Sequence, residues 1–302
     1  FLPKNKYNFP LKLISTDMPI GINYKAGVSA QLKSAVILAG LNSYGTTEII
    51  EVEKSRDHSE NLLCSNLQAI QIKKGREKII KVFGKKYLDA INIDIPGDPS
   101  SAAFFTALTL LNQKSFLKIK NVGLNPTRIG FYNILKKHGA KIKFLNIKKN
   151  NNEIHGDIYV QSCKVKPIKA SKEYYVKATD EYPILFVIAG LTQGLSIFKG
   201  IGDLVNKESN RIKEMQKILK QIGIRTTSNK NEIKIYGKSN IEIKNKFINV
   251  PSLGDHRICM ASLILSLLLG VKIKINKFET VYTSSPSFLK IIKFLGGKYE
   301  IK

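Results

Sequence analysis

The densest group of reactive side chains is Lys207-Glu208-Ser209-Asn210-Arg211. Two cations and a carboxylate within five residues suit recognition of a phosphate or carboxylate with a proton donor or acceptor beside it. At helical spacing Lys207 and Arg211 are four apart and Glu208 and Arg211 three apart, which predicts one shared face in the first turn of a helix. By itself such a face is a surface ion-pair cluster. Composition argues for more, because only six of the 49 basic residues are arginine, so a planar fork stands here where Lys serves elsewhere. Asp255-His256-Arg257 and Ser55-Arg56-Asp57-His58 draw attention for the same reason. Their histidines read as packing residues: no nucleophile sits beside them in a strand-turn-helix elbow, and the His, Asp and Glu spacings are not those of a metal site. Asp180-Glu181-Tyr182-Pro183 completes the set. Pro belongs in the first turn of a helix, so Asp180 is predicted as its N-cap, with a second role as acid or base where a cleft closes around it.

The elements that must carry these residues recur. A polar cap, an apolar helix of about twelve residues, a β-like segment, an amphipathic helix, then Gly and another strand form a pattern that begins at Ser29, Ser100, Asp180 and Asp255. Units this long, with two helices and several strands, are not the 20–50-residue repeats of solenoids; they read as duplicated βαβ-type modules of an α/β fold. The first helix of each copy is apolar nearly all round, which predicts burial on every side. The second carries a stripe, as at Ile212, Met215, Leu219 and Ile222, and is expected to lie on a sheet with its Lys-rich face in water. Lys148 to Asn152 reads as a polar turn. Ser or Asp at each start caps orphan amides, and several such N-termini facing one cleft would bind anions.

Composition bounds the rest. The chain has 302 residues, 43% hydrophobic and 24% charged, fractions that set aside disordered and fibrous classes, and a net charge of +26 that would suit anionic partners. No apolar run reaches the roughly 18 residues of a membrane-spanning helix, and no membrane partner is expected. The charge is dispersed Lys rather than clustered Arg with aromatics, so no nucleic-acid partner is expected either. Cys64, Cys163 and Cys259 show no paired spacing and read as idle thiols of a reducing cytoplasm. A chain that begins at Phe1, with no initiator Met, suggests a processed or truncated start.

Taken together, SAQLKSAVILAGL, KSRDHSENLL, PGDPSSAAFF, DEYPILFVIAGL, KESNRIKEM and GDHRICMA, in this order, resemble the 5-enolpyruvylshikimate-3-phosphate synthases (3-phosphoshikimate 1-carboxyvinyltransferases), from near residue 17 to the C-terminus. The resemblance implies a two-domain α/β fold of repeated βαβαββ units, an inverse α/β barrel, closing on substrates between the domains. It implies transfer of the enolpyruvyl group of phosphoenolpyruvate to the 5-hydroxyl of shikimate 3-phosphate with release of phosphate, in aromatic amino-acid biosynthesis. No metal or organic cofactor is implied, and the full-length protein is expected to be a cytoplasmic monomer. Carried over by motif, Ser29, Ala30, Gln31, Ser55, Arg56, Asp180 and Lys207 would hold shikimate 3-phosphate. Gln31, Arg211 and Arg257 would hold phosphoenolpyruvate. Asp180 would act as general base on the 5-hydroxyl, and Glu208 in proton transfer at the enolpyruvyl methylene.

The match has departures. Asn210 replaces a usual Asp and Val205-Asn206 a common Arg-Val pair, and Thr283-Ser284-Ser285-Pro286 lacks a lysine found in some members. Two alternatives stay open: a UDP-N-acetylglucosamine enolpyruvyl transferase, whose pattern lacks SRDHSE and KES(D/N)R, and a non-catalytic anion- or RNA-binding module of the same repeat. Members of the family also carry about 130 to 150 further N-terminal residues, most of one domain, with substrate-binding Lys, Ser and Arg. Residues 1–92 therefore read as the last repeat of the N-terminal domain and 93–302 as a C-terminal domain of about three repeats. The chain by itself is expected to be inactive. Phosphate release by the purified chain with both substrates checks this: the expected rate is background, and substantial turnover without an added N-terminal segment contradicts it.

Overall fold

A computed structural model describes residue 12 and residues 14–241, 247–251 and 253–301; Phe1 lies outside them. The chain forms two units, Phe1–Ile93 and Asp94–Lys302.

In unit 1 the order is β1 (Asn23–Ala26), α1 (Ala30–Asn42), β2 (Thr46–Glu51), α2 (His58–Leu63), β3 (Ile70–Lys74) and β4 (Lys78–Phe83). β1 and β2 pair in parallel across α1, and β4 then joins antiparallel between β2 and β3. This is one βαβαββ module. Alternation in β2 turns Thr47, Ile49 and Glu51 inward, and Ile49 stands opposite Ile80. With Ala26, Ile37, Leu63, Ile70 and Val82 they close the core. Gly40 lets α1 approach the sheet, since a Cβ there would lie 2.9 Å from the Thr47 side chain. The expectation of a first helix buried all round fails for α1: Lys33, Ile37 and Gly40 are buried, but Leu32 and Leu38 are exposed. A lone module supplies one sheet, so it covers one face of its helix.

Unit 2 repeats the module. Its first copy is α3 (Pro99–Leu111), β5 (Phe116–Gly123), α4 (Gly130–Lys137), β6 (Lys141–Asn150) and β7 (Glu153–Gln161), led by a parallel bridge from Gly97 to Val122. The second is β8 (Lys169–Ala170), α5 (Tyr175–Ala178), α6 (Tyr182–Gly190), β9 (Gly194–Lys199), α7 (Arg211–Gln221), β10 (Arg225–Ser228) and β11 (Glu232–Gly237). The third is β12 (Phe247–Val250), α8 (His256–Leu269), β13 (Lys272–Ile275) and α9 (Phe288–Phe294). β8 pairs with β9 and β12 with β13 in parallel, the same crossover as β1 to β2. The β6–β7 turn is tighter than expected: β6 runs to Asn150, and Asn151 and Asn152, both at positive φ, make a two-residue connection, which asparagine tolerates.

Here the all-round apolar helices are buried as their composition demands. All of α6 is inaccessible, as is α8 from Arg257 to Ser266. α3, α6 and α8 pack on one another on one side and on the outer strands on the other, which leaves only Ser101, Leu108 and Leu111 of α3 and the ends of α8 partly exposed. Each fully buried Ile, Leu or Phe in this core contributes about 1.5–3 kcal/mol. The stripe of α7 is buried at Ile212, Met215, Leu219 and Ile222; it packs on α6 and α8 as well as on β10.

Candidate functional site

Arg211 is the first residue of α7, and its side chain is 1% exposed. A cation at a helix N-terminus opposes the helix dipole, and burial adds a desolvation cost, so strong counter-charges are required. Asp255 supplies one. It caps α8, accepting from the Arg257 and Ile258 amides at 3.0 and 3.4 Å. It also accepts from Arg211 Nε at 2.9 Å and from the Ser209 hydroxyl at 2.9 Å. Glu208 accepts from Arg211 Nη2 at 2.6 Å, and Asp180 Oδ1 lies 3.9 Å from Nη1. Burial pulls the Arg211 guanidinium down, but Asp255 and Glu208 outweigh it and hold its pKa above the usual value. It stays charged.

These contacts bring the starts of α6, α7 and α8 together. A second set adds α3 and the approach to α4. Ser100 donates to the buried Glu181 carboxylate, and Arg128 Nη2 donates to Ser100 Oγ and Asp98 Oδ1, both at 2.7 Å. Burial, then the charge of Asp180, raises the pKa of Glu181. Beside them Arg257 is buried, and among the described residues nothing accepts from its Nε or Nη1; the same holds for Arg211 Nη1 and Arg128 Nε. Each buried donor left so costs about 1–3 kcal/mol, and an arriving anion removes that cost. Burial and the charge of Arg257 lower the pKa of His256, which keeps the imidazole neutral at pH 7.

Several expected placements change. Residues 207–210 precede α7 instead of forming its first turn, because Asn210 is the N-cap, its side chain accepting from the Lys213 amide at 3.1 Å. Asn does this as well as Asp. Lys207 lies outside the helix and pairs with Asp203 at 2.7 Å, which also accepts from the Tyr175 hydroxyl. Asp180 is not a cap: α6 starts one residue later, after Glu181, and Asp180 stays 22% exposed beside Arg211. Ser100 does not begin its helix either, since Asp98 caps α3 and Ser100 lies inside the first turn. Sequence reasoning assigns no role to Glu181 or Arg128. The scarcity of Arg that singles out Arg211 and Arg257 applied equally to Arg128.

In unit 1, Ser29 caps α1 by accepting from the Leu32 amide at 3.4 Å, with Ala30 half-buried and Gln31 exposed. Ser55 is buried and gives its N–H and its hydroxyl to Glu51 at 2.9 and 2.6 Å. Arg56 beside it is half-buried. Cys259 is buried, its thiol pushed up to about 11; it is no nucleophile at pH 7. Among the described residues no group of three His, Cys, Asp or Glu side chains is placed to hold a metal ion.

A model of the EPSP synthase (3-phosphoshikimate 1-carboxyvinyltransferase) family matches residues 4–292. The chain belongs to this family. The 3-phosphoshikimate 1-carboxyvinyltransferase of Persephonella marina is 40% identical over 266 residues, 88% of this chain and 61% of the relative. That of Zymomonas mobilis is 35% identical over 296 residues, 97% of this chain and 65% of the relative. The chain thus spans a little under two thirds of the length of these relatives. Among solved structures, EPSP synthase from Acinetobacter baumannii superposes with a TM-score of 0.78 at 33% identity, covering 92% of this chain and 63% of that one. The enolpyruvyl transferase NikO of Streptomyces tendae shares the fold, at a TM-score of 0.72 and 12% identity, over 94% of this chain and 66% of that one. These likenesses agree with the enolpyruvyl transferase architecture of repeated modules and favour the EPSP synthases over their UDP-sugar relatives.

In this chain the buried member of the Arg211 cluster should matter most to stability. Asp255→Ala is expected to cost about 3–5 kcal/mol in urea unfolding, because it strands a buried guanidinium. Glu208→Ala, removing a carboxylate that is 45% exposed, should cost under about 1 kcal/mol. Equal losses would contradict this ranking.

Proposed function

We propose that this chain serves transfer of the enolpyruvyl group of phosphoenolpyruvate to the 5-hydroxyl of shikimate 3-phosphate, with release of phosphate, on the route to aromatic amino acids. The observation that carries the reading is the buried set of guanidinium N–H groups without acceptors on Arg211 and Arg257, flanked by two partly exposed carboxylates, Asp180 and Glu208. Two forks suit a small, multiply charged donor such as phosphoenolpyruvate. Gln31, exposed at the start of α1, is assigned to the same ligand.

The chemistry needs two proton movements. As the 5-hydroxyl oxygen attacks C2 of phosphoenolpyruvate, its proton passes to Asp180 while the methylene carbon C3 gains a proton from Glu208. As phosphate then leaves C2, taking up the proton held by Asp180, C3 returns its proton to Glu208 and the double bond is restored, which regenerates both carboxyl groups. Asp180 and Glu208, both beside Arg211, are the groups for these roles, and fixed positive charge next to developing negative charge lowers the barrier. Shikimate 3-phosphate is assigned to Ser29, Ala30 and Gln31, to the Ser55–Arg56 segment, and to Asp180 and Lys207.

On this reading residues 1–92 are the last repeat of an N-terminal domain and 93–302 the C-terminal domain. The protein then works in the cytoplasm as a monomer on small anions, needing no cofactor, nucleic acid or membrane. Among the described residues no helix is long and apolar enough to cross a membrane. Asp180→Ala, in an enzyme completed with the N-terminal segment of its relatives, is expected to lower kcat about 10²–10⁴-fold, with dissociation constants for both substrates within a few-fold. A kcat near that of the unsubstituted enzyme would refute the base assignment.

A further inference from the structure

A buried ionic cluster in unit 1 has no part in the chemistry above. Lys33 is wholly buried, and its Nζ lies 2.7 Å from Glu51 Oε1 and 2.8 Å from Glu60 Oε1. Lys78 Nζ lies 2.7 Å from Glu60 and 3.4 Å from Glu51 Oε2. Four elements meet here: α1 gives Lys33, the end of β2 Glu51, α2 Glu60 and the start of β4 Lys78. Two ion pairs in a core are a poor route to stability, because desolvation offsets most of their attraction. Their placement suggests another use. Lys33 is two residues beyond Gln31, and Glu51 Oε1, which Lys33 holds, is the atom that accepts both the amide and the hydroxyl of Ser55.

We infer that Glu51 is a positioning residue for anion recognition by unit 1: its carboxylate, held in the core beside α1 by Lys33 and Lys78, fixes the Ser55–Arg56 segment in one arrangement. This rests on the assignment of a phosphorylated substrate to that segment. A hydroxyl has one proton, and that of Ser55 is given to Glu51. Ser55 thus acts by fixing the chain that carries Arg56, while phosphate contact falls to Arg56 and the first turn of α1. Desolvation would raise the Glu51 carboxyl, but the bonds from Lys33 and Ser55 override it and hold its pKa below the usual value, so the anchor is ionised at neutral pH.

Two double variants separate positioning from stability. Lys33→Met with Glu51→Gln and Lys33→Met with Glu51→Met each remove one charge of either sign and leave Lys78 paired with Glu60. Gln keeps an oxygen for Ser55, and Met, of similar shape, does not. The ¹⁵N-labelled full chain is titrated with shikimate 3-phosphate, reading the amides of residues 29–31 and 55–57, and hydrogen exchange at the Ser55 amide is measured without ligand. The Gln variant is expected to bind within about three-fold of the unsubstituted chain, with Ser55 protected. The Met variant should bind at least about ten-fold more weakly, with Ser55 exchanging freely. Glu51→Asp, which keeps the charge but withdraws it by one methylene, should weaken binding several-fold, and it covers the case in which the Met variant does not fold. Equal affinity of the two double variants, equal Ser55 protection in them, or unchanged binding by Glu51→Asp overturns the positioning role. No shift at these amides in the unsubstituted chain overturns the substrate assignment itself, and this inference with it.

Discussion

A guanidinium held beneath the surface by Asp255 is the constraint around which unit 2 is arranged. Arg211 begins one helix and Asp255 caps another, so their contact can form only if the two N-termini arrive side by side. Asp255 satisfies Arg211 and the first amides of α8 with the same two oxygens, which joins helix capping to charge burial. Replacing such a pair by apolar residues would cost little stability. Its value lies in what it orients: Asp180, Glu208 and Arg257 all stand around it.

The repeated module explains why helix starts collect in one place. Each copy sends an apolar helix across a parallel strand pair, and in unit 2 three such helices pack together with strands outside. Apolar residues on every side leave the helices nowhere to go but the centre, and their ends carry the polar chemistry. The Ser100–Glu181 and Arg211–Asp255 contacts tie these ends across copies. Unit 1, with one module, carries its ionic cluster on the same plan, between the start of its helix and the chain after β2.

Much of this was legible in the sequence. The spacing of Ser29, Ser100, Asp180 and Asp255 marks the four modules, and the scarcity of arginine points to Arg211 and Arg257. What escaped depends on one-residue shifts and on distant partners. Asp98 and Ser100 are both good caps, and only the backbone shows that Asp98 does the work while Ser100 turns to Glu181. Asn210 caps α7, which leaves Lys207 outside the helix and paired with Asp203 despite its helical spacing from Arg211. Lys33, Glu51 and Glu60 look like ordinary surface charges until strand alternation in β2 and the first turns of α1 and α2 bring them inside. Their burial is a tertiary fact that no local pattern announces.

The central claim is that Arg211 and Arg257 form the anion site of unit 2. With six arginines in the chain, their ¹⁵Nε–H signals can be resolved and followed during titration with phosphoenolpyruvate. Saturable shifts at Arg211 and Arg257 are predicted, with Arg225, which lies over the Tyr236 ring, unchanged. Silence at Arg211 and Arg257, or shifts at all six that follow ionic strength alone, would contradict it.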